Sequence, residues 1–258
     1  MALSNISEKE INKNMARLSR FLEACSYQID DDRIIIYINE LKKQFKPETV
    51  RKHIITIKRF LKFISYPSAE LIKAPKIPKK LKLVLKPQDV RNLIEEIDTK
   101  VDYEPLRLRA KAAVLLSATS GLRAEEVYKL KRDDIDIDER SVHVRAEITK
   151  DFEERITFFT QEAKEVLEEW MAICKRDKLF FNLRDAFEKL NSPIKLKHMR
   201  KFFSQQSDRL GMPTAVKKIL MGHSLRGDVD LTHYDFQDEE ELKKIYDKYW
   251  KDFRIVCP

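Results

Sequence analysis

Four short segments hold residues able to do chemistry on an anion. The first, SATSGLRAEEVYKL (117–130), sets a Ser120-Gly121 turn ahead of a helix with Arg123 in its first turn. An arginine there runs against the helix dipole. The same place suits an anion held jointly by backbone N–H groups and a guanidinium. Glu126, one turn on, can orient a neighbouring cation, and a plain structural salt bridge satisfies the pattern equally well. The second segment, EITKDFE (147–153), joins two strand-like runs and carries Lys150. The third, KLKHMRKFFSQQ (195–206), offers Lys197, His198, Arg200 and Lys201. Lys197 and Arg200 share a helical face, with Phe202 and Phe203 toward a core; alone, this reads as a solvated basic face. The fourth, LMGHSLRGDVDLTHYDF (220–236), places His223 behind a glycine at a helix end and Tyr234 eleven residues later. Taken singly, Gly-His is a C-cap and the tyrosine is packing.

Other chemistries find no footing. There is no glycine-rich phosphate loop, HExxH or GxSxG. The five histidines are dispersed, none at ligand spacing from a Cys or Asp, so neither a metal nor a cofactor is expected. Cys25, Cys174 and Cys257 follow no CxxC pattern, which suggests a reducing cytosol. The start, MALSNISEKEINKN, lacks the apolar run of a secretory signal, and no stretch approaches the ~18 apolar residues of a membrane span. A cytoplasmic protein with no membrane partner is expected.

The elements that must position these residues are mostly helical. Glycine is scarce, four in 258 residues, and Lys, Glu, Arg and Leu abound. Helical spacing covers 6–26 (Ile11, Met15, Leu18, Leu22) and 33–45. A third helix starts at Pro47, a residue suited to a first turn. Its stripe of Val50, Ile54, Ile57, Phe60, Leu61 and Ile64 opposes Arg51, Lys52, Lys58, Arg59 and Lys62, giving a basic outer face. Residues 67–87 contain four prolines and a run of lysines that includes Lys79, Lys80 and Lys82, which predicts a basic linker. Beyond it, helices are predicted over 87–97, 104–119, 123–131, 161–174, 183–190, 196–210, 213–221 and 238–253. Strands are predicted over 141–146 and 154–160. The last helix carries an aromatic face of Ile245, Tyr249, Trp250 and Phe253 that packs in cis or docks on a neighbouring protomer.

Charge follows the same division. The first 85 residues hold 18 Lys+Arg against 9 Asp+Glu, and the remainder holds 33 against 34. All the excess positive charge sits in the first third. That suits a polyanion; a well-solvated surface is the plain alternative.

In order, the segments supply Arg123, a hairpin Lys150, a basic pair Lys197 and Arg200, a Gly-His and Tyr234. That order, with TSGLRAEE and LMGHS followed by HY, resembles the tyrosine recombinases and phage-type integrases. The resemblance covers roughly residues 86–258, and the basic module before it is similar to the family's core-binding domain. It implies a mainly α fold: a helical core-binding, DNA-binding domain over 1–73, a basic Pro-rich linker over 74–86, and an α-rich catalytic domain with a small antiparallel β-sheet over 87–258. Where most relatives have His-x-x-Arg, this chain has Lys197, as in some archaeal virus or plasmid integrases.

The resemblance also implies a site-specific recombinase that cuts and rejoins DNA through a 3′-phosphotyrosyl link, without metal or ATP. Tyr234 is then the nucleophile. Arg123, Arg200 and His223 contact the phosphate, and Lys150 protonates the leaving oxygen. Lys197 takes the tyrosine proton or supplies charge, and Glu126 holds Lys197 or Arg200. The expected partner is double-stranded DNA in the nucleoid. It is contacted by Arg51, Lys52, Lys58, Arg59, Lys62, Lys79, Lys80 and Lys82, with a homotetramer on paired sites. Relaxation of DNA in the manner of a type IB topoisomerase, or non-cutting DNA binding on the same fold, are the alternatives.

Overall fold

The computed structural model describes residues 8–78, 81, 83–223 and 238–256. Lys79, Lys80, Lys82 and Tyr234 lie outside the described residues. The chain divides into two compact units, residues 1–82 and 83–258.

The first unit contains α1 (Glu8–Ala24), α2 (Asp31–Gln44), α3 (Pro47–Phe63) and a 3-10 turn over Pro67–Leu71. Helix α2 starts at Asp30, whose side chain accepts from the Arg33 N–H at 2.8 Å. Val50, Ile54, Ile57 and Leu61 of α3 are buried, as the stripe predicts. Phe60 is only partly buried, and Ile64 is exposed beyond the end of the helix. In α1 the buried face differs from the expected one. Met15 is 49% exposed and Phe21 is 0% exposed, so the helix packs along Leu18, Phe21, Leu22 and Cys25. Inside this unit the Tyr37 hydroxyl meets His53 Nδ1 at 3.3 Å, and Phe45 stacks on the same imidazole at 5.7 Å. Burial, then Arg17 and Arg20, lower the His53 pKa.

The second unit is built around α5 (Glu104–Ser120), which is buried from Arg109 onward except for Lys111. Around it lie α4 (Pro87–Lys100), α6 (Ala124–Val127), α7 (Gln161–Ile173), α8 (Leu183–Glu188), α9 (Met199–Leu210), α10 (Thr214–Met221) and α11 (Glu239–Trp250). Three strands, β1 (Ile135–Asp136), β2 (Ser141–Val144) and β3 (Arg155–Phe158), form an antiparallel sheet with β2 in the middle. Ser141 pairs with Phe158 and Val144 with Arg155.

Several expected elements come out shorter, among them both predicted strands and, most clearly, two helices. The helix predicted over 123–131 is a single turn, because Lys131 turns into a 3-10 segment closed by Asp134, whose carboxylate accepts from the Lys131 N–H at 2.8 Å. The helix predicted from 196 begins at Met199, after a 3-10 turn over Leu196–His198. The His198 imidazole takes the Lys195 N–H at 3.0 Å.

Helix α11 packs in cis. Tyr246 and Trp250 are fully buried, with Trp250 stacked on Phe203 at 5.0 Å and donating to the Ser207 hydroxyl at 3.1 Å. The Tyr246 hydroxyl donates to the Thr119 carbonyl at 2.9 Å, and Arg140 Nη2 donates to both Asp247 carboxylate oxygens at 2.6 Å. Behind the helix, the Ile255 and Val256 N–H groups donate to Glu162. Among the described residues no helix is long and apolar enough to cross a membrane.

Gly121 ends α5 at φ +70°, and a Cβ there would meet Phe203 Cδ1 at 2.6 Å. Left-handed backbone and overpacking add, so Gly121→Ala is expected to cost about 2–5 kcal/mol, measured by urea unfolding. The depressed pKa of His53 makes the unfolded chain the better proton acceptor. Its contribution to stability is complete above about pH 6.5 and is lost as pH falls through the folded pKa. The urea midpoint at pH 5.5 is therefore expected below that at pH 7.5, with a shallower pH dependence in His53→Gln.

Candidate active site

The turn after α5 sets the first residue. Gly121 reverses the chain so that Arg123 becomes the N-cap of α6. Glu126, 1% exposed, reaches back to it. One carboxylate oxygen accepts the Arg123 backbone N–H at 2.7 Å and the other accepts Arg123 Nη1 at 2.9 Å. The same two oxygens accept Arg155 Nη2 and Nη1, at 2.7 and 3.2 Å. Burial alone would raise the pKa of Glu126. The fork of Arg155, and the backbone and guanidinium of Arg123, outweigh it and hold the carboxyl below the ordinary range. Glu126 thus anchors Arg123 and Arg155, not the expected Lys197 or Arg200.

Arg200 lies in the first turn of α9, a poor place for a cation on dipole grounds. Its Nη1 donates to the Gly121 carbonyl at 2.8 Å, while Nη2 is buried and has no hydrogen-bond partner among the described residues. Burial, then repulsion from Arg123 and Arg155, lowers its pKa to about 10. His223 follows the αL cap Gly222 (φ +64°) at the end of α10, and its N–H donates to the Lys218 carbonyl at 2.9 Å. Burial, then Arg200, Arg123 and Arg155, lowers the pKa of its imidazole. The shift favours the uncharged imidazole, which keeps one N–H to donate.

Arg123, Glu126, Arg200 and His223 therefore converge, as the sequence order suggests. Lys150 stands close by on the β2–β3 connection. It is exposed and has no partner among the described residues. Its neighbour Asp151 places a carboxylate 3.0 Å from Arg123 Nη2. Lys197 is exposed, in the 3-10 turn before α9. Two members of the cluster escaped the sequence reading, Arg155 and Asp151. The signal for Arg155 was its place on β3: by strand alternation it shares a face with the fully buried Thr157. No group of His, Cys, Asp and Glu suited to a metal occurs among the described residues.

The surplus of guanidinium over carboxylate, with a buried donor left open among the described residues, is an electrostatic arrangement suited to an anion. On the first unit, Arg51, Lys52 and Arg59 of α3 are exposed. Lys58 and Lys62 are instead ion-paired with Glu70 of the following 3-10 turn. That contact qualifies the expected uniform basic face. Arg17, Lys52 and Arg59 line a groove between α1 and α3 together with Asn14 and Thr56.

Residues 84–230 match the family model described as Phage integrase family. The chain belongs to this family. It is 31% identical over 191 residues to the tyrosine recombinase XerA of Saccharolobus solfataricus, a match covering 70% of this chain and 62% of that protein. It is 28% identical over 197 residues to the tyrosine recombinase XerC of Histophilus somni, covering 66% and 63%. The matches thus span less than two thirds of the length of these relatives. The fold is similar to that of lambda integrase, solved as a dimer bound to a COC′ core site. The TM-score is 0.66 at 15% identity, over 92% of this chain and 93% of that one.

Inorganic phosphate is expected to bind this cluster, with the His223 ring resonances reporting it in an NMR titration. Arg200→Ala is expected to weaken phosphate about tenfold or more, because a hydrogen bond to a charged group is worth about 1.5–3 kcal/mol. Asp151→Asn, which removes the competing carboxylate from Arg123, is expected to tighten it.

Proposed function

We propose that the protein is a site-specific DNA recombinase of the integrase kind, acting on chromosomal or mobile-element DNA in the cytoplasm. The observation that carries this reading is the buried Arg200 Nη2, without a hydrogen-bond partner among the described residues, beside Arg123 and His223. A phosphodiester offers two non-bridging oxygens with one negative charge. Arg200 and Arg123 take those oxygens, and the neutral His223 adds a hydrogen bond.

Tyr234 attacks the phosphorus. The new bond joins its phenolic oxygen to phosphorus, and the bond to the 5′-oxygen breaks. The 3′-phosphotyrosyl ester retains the bond energy, so religation needs no ATP. A phenol of pKa ~10 is a weak nucleophile at neutral pH. Lys197 accepts its proton or balances its charge, and Lys150 gives a proton to the departing 5′-oxygen. Negative charge spreads over the phosphoryl oxygens in the transition state, where fixed guanidinium groups stabilise it most.

The basic first unit supplies the duplex-binding surface, through Arg51, Lys52 and Arg59 with the linker lysines Lys79, Lys80 and Lys82. Lys58 and Lys62 join once DNA phosphates replace Glu70. Exchanging both strands of two duplexes needs four cuts, hence four tyrosines and a tetramer on paired sites.

Nicked duplexes tiled across the DNA flanking the gene test this reading, because a nick beside the scissile phosphate traps the covalent complex. The wild-type chain is expected to form a covalent adduct with one of them, and Tyr234→Phe to form none while still binding. Arg123→Ala and Arg200→Ala are expected to slow adduct formation by about 10²–10³-fold each. An adduct formed by Tyr234→Phe, or wild-type rates in either arginine variant, contradicts the mechanism. Affinity is expected to fall more than about tenfold per doubling of salt if ~6 phosphates are neutralised.

A further inference from the structure

Arg155 stands at the centre of the cluster without facing its open side. Its side chain is 7% exposed. Both Nη groups are spent on Glu126, and Nε donates to the Leu220 carbonyl at 3.0 Å. Leu220 is in the last turn of α10, where carbonyls lack helical partners and a positive charge is favoured. The guanidinium also lies close against the cap residue of that helix. A Cβ on Gly222 would meet Arg155 Cδ at 2.8 Å, Nε at 3.0 Å and Nη1 at 3.1 Å. One planar group therefore ties two elements that are far apart in sequence. On one side it grips the carboxylate that fixes Arg123. On the other it closes the end of the helix that presents His223.

We propose that Arg155 is the positioning residue of this site, setting the separation of Arg123 and His223 by clamping Glu126 to the C-terminal turn of α10. This rests on the reading of the cluster as a phosphodiester-cleaving centre. Arg155 has a second effect on Arg123. By taking a share of both Glu126 oxygens, it leaves Arg123 Nη2 outside the Glu126 pair, where the exchangeable Asp151 now sits. A lysine in its place keeps the charge but offers one compact ammonium where a planar fork serves three acceptors. It can hold Glu126 or Leu220, but not both in one plane.

The test compares the full-length wild-type chain with Arg155→Lys and Arg155→Gln. The readouts are thermal unfolding, DNA affinity, single-turnover adduct formation at saturating protein on the trapped nicked duplex, and affinity for inorganic phosphate. Arg155→Gln leaves a buried carboxylate short of a partner and is strongly destabilising. If it does not fold, Arg155→Lys decides. In Arg155→Lys, adduct formation is expected to slow by about 10²-fold, the scale of a misplacement of about 1 Å. DNA affinity is expected to stay unchanged and phosphate affinity to fall. Wild-type cleavage by Arg155→Lys overturns the assignment. So does a loss of rate matched by loss of folded protein or of DNA affinity, and so does unchanged phosphate affinity. If the wild-type chain forms no adduct with any duplex, the recombinase reading fails. The phosphate titration then decides the role of Arg155 separately.

Discussion

The carboxylate of Glu126 fixes the geometry on which the rest of the site depends. It is 1% exposed and accepts four hydrogen bonds, two from Arg123 and two from Arg155. A carboxylate has about four lone-pair sites, so it is saturated. Removing one partner from such a buried pair costs about 3–5 kcal/mol, because a charge is left without compensation. The arrangement is stiff for that reason. It is also incomplete. Arg200 joins the same cluster without a carboxylate of its own among the described residues, and one of its donors has no hydrogen-bond partner among them. The large apolar core around α5 allows the second unit to hold this uncompensated charge. In the proposed reading an external anion completes it.

Two left-handed glycines translate the core into that geometry. Gly121 ends α5, turns Arg123 into place and gives its carbonyl to Arg200. Gly222 ends α10, presents His223 and leaves room for the Arg155 guanidinium. Phe203, which presses on Gly121, is stacked in turn on Trp250 of α11. The C-terminal helix therefore supports the turn that positions Arg123, and its packing in cis belongs to the same construction.

Much of this was legible in the sequence, for physical reasons. Arg123, Glu126, Arg200 and His223 sit at helix ends, and helix ends are marked by glycine and by charges placed against the dipole. Lys150 was legible because two alternating runs bracket it. The helix over 104–119 and the stripe of α3 were legible in the same way. What was not legible came from tertiary contacts. Arg155 looks like an ordinary charged residue at a strand start until its partners, Glu126 and Leu220, are brought to it from 29 and 65 residues away. The partner of Glu126 was misassigned for the same reason. Glu70 neutralises Lys58 and Lys62 across a turn that helical periodicity does not describe. The exposed Met15 shows that a regular apolar spacing can lie one step around the helix from the face that is buried.

A crystal structure of the full chain with orthovanadate tests the central claim most directly, since vanadate adopts the geometry of a phosphoryl group in transfer. The account predicts one vanadate bound to Arg200 Nη2 and Arg123 Nη2, within hydrogen-bond reach of His223, with Asp151 displaced from Arg123 and Glu126 unmoved. Vanadate bound elsewhere, with Asp151 still on Arg123 and Arg200 Nη2 still unpartnered, would contradict it.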